Sequence, residues 1–279
     1  MINYCANCSS LNFVLNGHDK KGVQRYKCKD CKKRFCERGI FARHRYSSLL
    51  IMDALFLYSQ PISTSGVTKN LKRFRGITPT RMTIYNWVVK FASHLIRLAS
   101  IKPLSFSSVW HVDEKFIKVR HPTKKRGDFS YLWIVSDTNA NILATHVSLH
   151  RDGKNAEIVL QKAKLRARFN PDLLVSDGLQ GYKKAVKKTF GRKTRHVEAH
   201  FEAVGIVHKG KLMKISNNRA ERVNQFPALW LHSVRGFKRL DRANLLMEFF
   251  TIYYNYLMPH GVKEQVKVKW EKVPELINR

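Results

Sequence analysis

The chain has 279 residues, 44% of them hydrophobic, which is enough apolar material for a sizeable core and excludes a disordered polymer. Its 52 Lys and Arg against 20 Asp and Glu leave a formal net charge of +32, a balance that expects a polyanion. Met1–Ser10 lacks the apolar core of a secretory leader and the longest apolar stretch, Leu49–Tyr58, is short and broken by Asp53, so neither export nor a membrane span is expected and the thiols should stay reduced.

Residues 1–45 are basic, with 11 Lys and Arg against 3 Asp and Glu. They carry Cys5-x-x-Cys8, then 19 intervening residues, then Cys28-x-x-Cys31. Two such pairs suit two knuckles closing on one tetrahedral zinc, which would supply the folding energy that so small a segment lacks. Disulfides or unlinked thiols are the other reading, and Cys36 falls outside the spacing. Residues 46–98 turn helical, with apolar residues three and four apart from Leu49 to Tyr58. A second helix fits Ser65–Phe74 and a third Thr80–His94, with Thr78 as its cap and Pro79 at its first position. Lys69, Lys72, Arg73, Arg75 and Arg81 surround the intervening break, as in a helix-turn-helix whose last helix enters a DNA groove, with Trp87 and Val88 packing inward. A plain three-helix bundle with a solvated basic face fits the same pattern. Ser100–Ser108 reads as the linker out of this module.

Beyond it, strands are expected over Val109–Val119, Phe129–Asp137 and Ile142–Leu149, an antiparallel meander. A helix over Gly153–Arg168, a short buried strand at Pro171–Ser176 and a helix over Gly181–Phe190 follow. Three strands and then alternating helix and strand predict an α/β fold with a mixed sheet and flanking helices.

Three acids stand out in this part. Asp113 lies in mid-strand on the face of His111, Lys115 and Ile117, opposite Trp110, Val112, Glu114 and Phe116, and a carboxylate there is costly unless paired or bound to a cation. Asp177 ends the short apolar strand, where open α/β sheets bind ligands, although Asp-Gly is also a common turn pair. Glu221 follows Asn218 by three residues and could close a capping box. On a helix it shares a polar stripe with Asn217, Asn224 and Gln225, and such a stripe facing a sheet needs a partner.

The order Asp113, Asp177, Glu221, the Ser-Asp-Gly at the second acid and the run Asn218-Arg219-Ala220-Glu221-Arg222-Val223-Asn224 resemble the DDE transposases of prokaryotic insertion sequences. Arg235-Gly236-Phe237-Lys238 and Tyr253–His260 are similar to that family's C-terminal part. The resemblance implies a ribonuclease H-like catalytic domain, here residues 108–260, followed by a tail, 261–279. It also implies that the zinc ribbon and helix-turn-helix recognise terminal repeats, that the partner is double-stranded DNA at the element ends and target, that the protein is a homodimer or higher oligomer, and that it is cytoplasmic and nucleoid-associated. From Asp177 to Glu221 is 44 positions, longer than the family's usual interval; a basic loop at Ala203–Lys214 would absorb the excess, and Glu198 and Glu202 are substitutes for the third acid.

Phosphodiester chemistry needs an activated nucleophile and a stabilised leaving oxygen, which two Mg2+ or Mn2+ ions on carboxylate oxygens supply. Asp113 is expected to bridge the ions, with Asp177 and Glu221 completing one each. Hydrolysis would expose a 3'-hydroxyl at the element end, and the same site would join it to target DNA. Asn217, Arg222 and Asn224 are expected on phosphate oxygens, and Lys183 and Lys184, with Lys187 and Lys188, on DNA or on a solvated face. A non-enzymatic DNA-binding regulator, and a nuclease or resolvase on the same fold, are the rival readings.

Overall fold

The computed structural model describes residues 5, 7–8, 10–20, 23–36, 41, 44–96, 104–123, 125, 128–199, 203–215, 218–234 and 236–258. The expected tail at 261–279, with Asn217 and Glu202, lies outside them.

Strands β1 (Phe13–His18), β2 (Gln24–Cys28) and β3 (Arg34–Cys36) pair antiparallel in that order. Among the described residues, their apolar interior is Phe13, Tyr26 and Phe35, with ring centroids 5.4 Å apart, beside the buried Cys5 and Cys28.

Helices α1 (Ser48–Ser59), α2 (Thr64–Arg75) and α3 (Arg81–Ile96) follow. Ser47 Oγ accepts from Leu50 N and Ser63 Oγ from Gly66 N, so each of the first two helices opens on a serine cap. Gly76 ends α2 in the left-handed region, φ 65°, which a side chain would resist. The cap of α3 is Thr80, whose Oγ1 accepts from Thr83 N at 3.1 Å, rather than the expected Thr78. Placed after Pro79, Thr80 is the residue whose hydroxyl reaches the third amide of the helix.

The central sheet has the order β6-β5-β4-β7-β8, from β4 (Val109–Ile117), β5 (Ser130–Asp137), β6 (Ile142–Ser148), β7 (Leu173–Ser176) and β8 (Arg195–Glu198). The first three strands are antiparallel neighbours, and β7 and β8 add in parallel on the other side of β4. Helices α4 (Gly153–Ala167) and α5 (Gln180–Phe190) cover one face, over Trp110, Val112, Trp133 and Val135. The other face meets α6 (Asn218–Val234), α7 (Leu240–Ile252) and a π turn, Tyr253–Leu257. A mixed sheet with helices on both faces is the α/β architecture that was expected. Residues Ala203–Lys214, expected to be a loop, instead form a hairpin of β9 (Val204–His208) and β10 (Lys211–Ile215). Its two-residue turn places Lys209 and Gly210 at φ 49° and 76°, the turn whose twist matches paired strands.

Helices α1–α3 do not stand apart from the sheet. Their apolar residues, among them Ile51, Leu55, Trp87 and Phe91, form one buried cluster with Ile117, Leu132, Ile134, Trp230 and Tyr254. Trp230 Nε1 donates to the carbonyl of Tyr58 at 2.9 Å, and Gln60 Nε2 bonds the Tyr253 hydroxyl. Each large apolar side chain buried there stabilises by about 1.5–3 kcal/mol. Among the described residues no helix is long and apolar enough to cross a membrane.

Candidate active site

Parallel pairing of β4 with β7 runs from Val109↔Leu173 to Val112↔Ser176, so the next residue on each strand is an acid, Asp113 and Asp177. There β7 ends while β4 continues to Ile117. The alternation of β4 turns Asp113 toward α6 and Glu114 toward α5. Asn224 of α6 donates through Nδ2 to Asp113 Oδ2 at 2.6 Å, and the Tyr182 hydroxyl of α5 donates to Glu114 Oε2. The backbone beyond β7 brings Asp177 between the two faces, and Asp113, Glu114 and Asp177 offer oxygens that all lie within 4.8 Å of one another.

Three carboxylates this close repel one another. Burial first, then the Glu114 charge, push Asp113 up to about 6; the Glu114 amide opposes the shift, Asp177 adds to it, and Asn224 opposes it. Arg151, just before α4, answers part of the charge: it pairs with Glu114 and reaches Asp177 Oδ2 at 3.3 Å. Burial works against its own charge, but the two carboxylates outweigh this and raise its pKa. Burial and the Glu114 charge likewise hold Tyr182 protonated. Asp137, by contrast, is a structural acid that accepts from the amides of Ser107, Asn139 and Asn141.

Divalent cations fit this place. The oxygens are hard donors, Asp113 is held away from its ordinary ionisation by burial and by the Glu114 charge, and Asn224, fully buried, has an Oδ1 without a hydrogen-bond partner. Zinc fits the N-terminal cysteines equally well. Cys5, Cys8, Cys28 and Cys31 bring their sulfurs within 4.8 Å of one another, with Cys5–Cys31 at 3.7 Å and Cys8–Cys28 at 3.6 Å. A tetrahedron of Zn–S bonds has edges of roughly 3.8 Å. Cys36 lies outside the group.

The fold thus brings Asp113 and Asp177 together and adds Glu114, which the alternation of β4 had assigned to the opposite face. Glu221 is exposed on the first turn of α6 and is not among the three converging carboxylates; it precedes Asn224 by one turn. Glu198, an expected substitute, is exposed on β8. Asn224, expected on phosphate oxygens, is wholly buried and meets Asp113 instead. Arg222 falls within α6. Lys69, Lys72, Arg73 and Arg81 are exposed on α2 and α3, while Arg75, also exposed, pairs with Asp53 at 2.8 Å. Lys183 and Lys184 are exposed on α5, and Lys188 pairs with Glu157. Arg151 and Tyr182 carried no signal in the sequence, because only the packing of α4 and α5 brings them to Glu114.

Residues 107–256, a little over half of the chain, match the family DDE_Tnp_IS240, described as a DDE domain. Among curated proteins the chain is similar to the transposase for insertion sequence-like element IS431mec of Staphylococcus aureus (strain Mu50), 25% identical over 116 residues, which are 42% of this chain and 49% of the relative. The same figures hold for the transposase for insertion sequence element IS257 in transposon Tn4003 of Staphylococcus aureus. The chain therefore spans about half the length of the curated relatives it matches. Among solved structures it is similar to the HTLV-2 integrase catalytic core domain in complex with magnesium (trimeric form), at TM-score 0.37 and 13% identity, covering 60% of this chain and 97% of that one. A simian T-cell lymphotropic virus intasome in complex with PP2A regulatory subunit B56 gamma gives TM-score 0.36 and 15% identity, covering 57% and 53%.

Proposed function

The chain belongs to the DDE domain family, and from that premise we propose that it is an insertion-sequence transposase that cuts DNA at the element ends and joins the freed 3'-hydroxyl to target DNA. The observation that carries this reading is the side-by-side placement of Asp113 and Asp177 at the end of β7, with Asn224 bonded to the first. Bound Mg2+ or Mn2+ would supply Lewis-acid activation of the attacking oxygen and charge stabilisation of the leaving one. Asp113 and Asp177 are the holding carboxylates. Glu221 is the third, because residues three apart on a helix are neighbours and Asn224 already touches Asp113. The Asn224 amide orients Asp113 and keeps one of its oxygens committed, leaving the other for a cation.

The basic surface supplies the grip on the duplex. Exposed Lys69, Lys72, Arg73 and Arg81, with Lys183 and Lys184, are assigned to DNA phosphates, and Asn217 and Arg222 to phosphate oxygens of the strand being cut. Cys5, Cys8, Cys28 and Cys31 hold one structural zinc, and a homodimer or higher oligomer brings two element ends together. Incubating the full chain with Mg2+ and a duplex carrying the element end should nick the end, and a pre-nicked end should be transferred into a plasmid. Asp113→Asn should abolish both and leave binding intact. Binding without nicking by wild type and variant alike would favour the regulator reading; nicking without transfer would favour a nuclease.

A further inference from the structure

We infer that Arg151 is an internal counter-ion that competes with the divalent cation for Asp177 and passes to a DNA phosphate once that cation is in place. The inference rests on the metal-dependent reading above.

Its basis is the asymmetry of the Arg151 contacts. Nε and Nη2 both engage Glu114 Oε1, and the Glu114 side chain is only 3% exposed. The other Glu114 oxygen is taken by the Tyr182 hydroxyl. Glu114 therefore has both oxygens committed and acts as an anchor for the guanidinium rather than as an open cation ligand. The second contact, to Asp177 Oδ2, is long at 3.3 Å and lies at a carboxylate that is 28% exposed. The Nη2 that bonds Glu114 is thus the same nitrogen that reaches Asp177, held firmly by the first carboxylate and weakly by the second.

A counter-ion needed only for Glu114 would not have to reach Asp177. By bridging the two, Arg151 spreads one positive charge over the position that a doubly charged ion would occupy. At equal distance the dication attracts Asp177 twice as strongly, so it displaces the weak contact and leaves the strong one. The guanidinium has five donors in a planar fork, more than the Glu114 contacts use, and a displaced fork beside Asp177 can grip a phosphate oxygen. The arginine would then disfavour metal loading of the DNA-free protein and favour it once DNA is present, a coupling that must be reciprocal.

The experiment measures Mn2+ binding to the full chain, alone and with a short duplex carrying the element end, by electron paramagnetic resonance titration of free Mn2+. Arg151→Gln should bind Mn2+ about three- to fivefold more tightly than wild type without DNA, the scale of a partly exposed ion pair. In wild type the duplex should tighten Mn2+ binding by at least that factor, and in the variant by little. Because Arg151→Gln leaves the buried Glu114 without its cation, Arg151→Lys is measured beside it, with thermal unfolding as a check on folding. A lysine keeps the charge near Glu114 on a single nitrogen, without the Nε contact that steadies Nη2 between the two carboxylates. It should therefore shift both readings in the same direction. Mn2+ binding that neither substitution tightens, or equal DNA coupling in all three proteins, overturns the inference and leaves the metal-dependent reading standing. A wild-type chain that binds no Mn2+ at all overturns both.

Discussion

Replacing Asp113 with Asn should stabilise the metal-free protein while destroying its activity. The carboxyl stands at about 6 in the folded chain against an ordinary 3.8, a difference of about 2 pK units and hence about 3 kcal/mol. Partial solvent access trims this to roughly 2 kcal/mol. The sign follows from proton binding. Below about pH 4 the group is protonated in both states and contributes nothing. As pH rises toward 6 the unfolded chain loses its proton first, so the folded state is progressively disfavoured, and above about pH 6 the full cost is present. Asn cannot ionise, and its side-chain carbonyl can still accept from Asn224 Nδ2. For a chain of this size, about 2 kcal/mol corresponds to a thermal midpoint about 4 °C higher. Differential scanning fluorimetry at pH 8 in EDTA should show that rise, and at pH 3.5 none. Excess Mg2+ should raise the wild type and narrow or reverse the gap, because a ligand bound only by the folded state stabilises it. If Asp113→Asn melts at or below the wild type at pH 8 in EDTA, the carboxylates are not electrostatically frustrated and the reasoning fails.

Glu221→Gln, at an exposed position, should leave the unfolding free energy within about 0.5 kcal/mol of wild type yet lower nicking by more than about 100-fold, with Glu198→Gln as the neutral control; retained nicking removes Glu221 from the ligand set. Cys28→Ser should reduce zinc content from one ion per chain toward none and open residues 10–36 to proteolysis, while α1–α3, which have a separate apolar core, stay protected; an unchanged zinc content and digest would contradict the four-cysteine site. Gly236→Ala should cost about 2 kcal/mol or more in urea unfolding, since the residue sits at φ 95° and a Cβ would lie 2.8 Å from the Lys118 carbonyl, breaking the Val119↔Phe237 bridge; a near-neutral result would mean that this corner rearranges freely.

The β4–β6 meander and the helices α4 and α5 could be read almost residue by residue, because apolar runs and turn residues are local signals. Asp113 and Asp177 could be read for the same reason, one as an acid in mid-strand and the other as an acid at a strand end. Glu114 could not, since alternation along β4 sends it to the other face, and it is the irregular backbone after β7 that lets Asp177 meet both faces. The β9–β10 hairpin was missed because its turn is Lys209-Gly210, in which a lysine takes the positive φ normally left to Asn or Asp. The continuity of α1–α3 with the sheet was hidden as well. Its trace is the run of apolar residues from Leu49 to Tyr58, which falls on almost every side of α1, a pattern that means burial among neighbours rather than a surface helix.

That common interior makes the protein a ruler. Because α1–α3 and the sheet share one apolar cluster, the span from a duplex lying along α2 and α3 to Asp177 is a fixed length of protein. Inserting about five base pairs between the bound sequence and the cut position would rotate the scissile bond by half a turn and move it about 17 Å. Cleavage should then vanish although every base that is read remains in place.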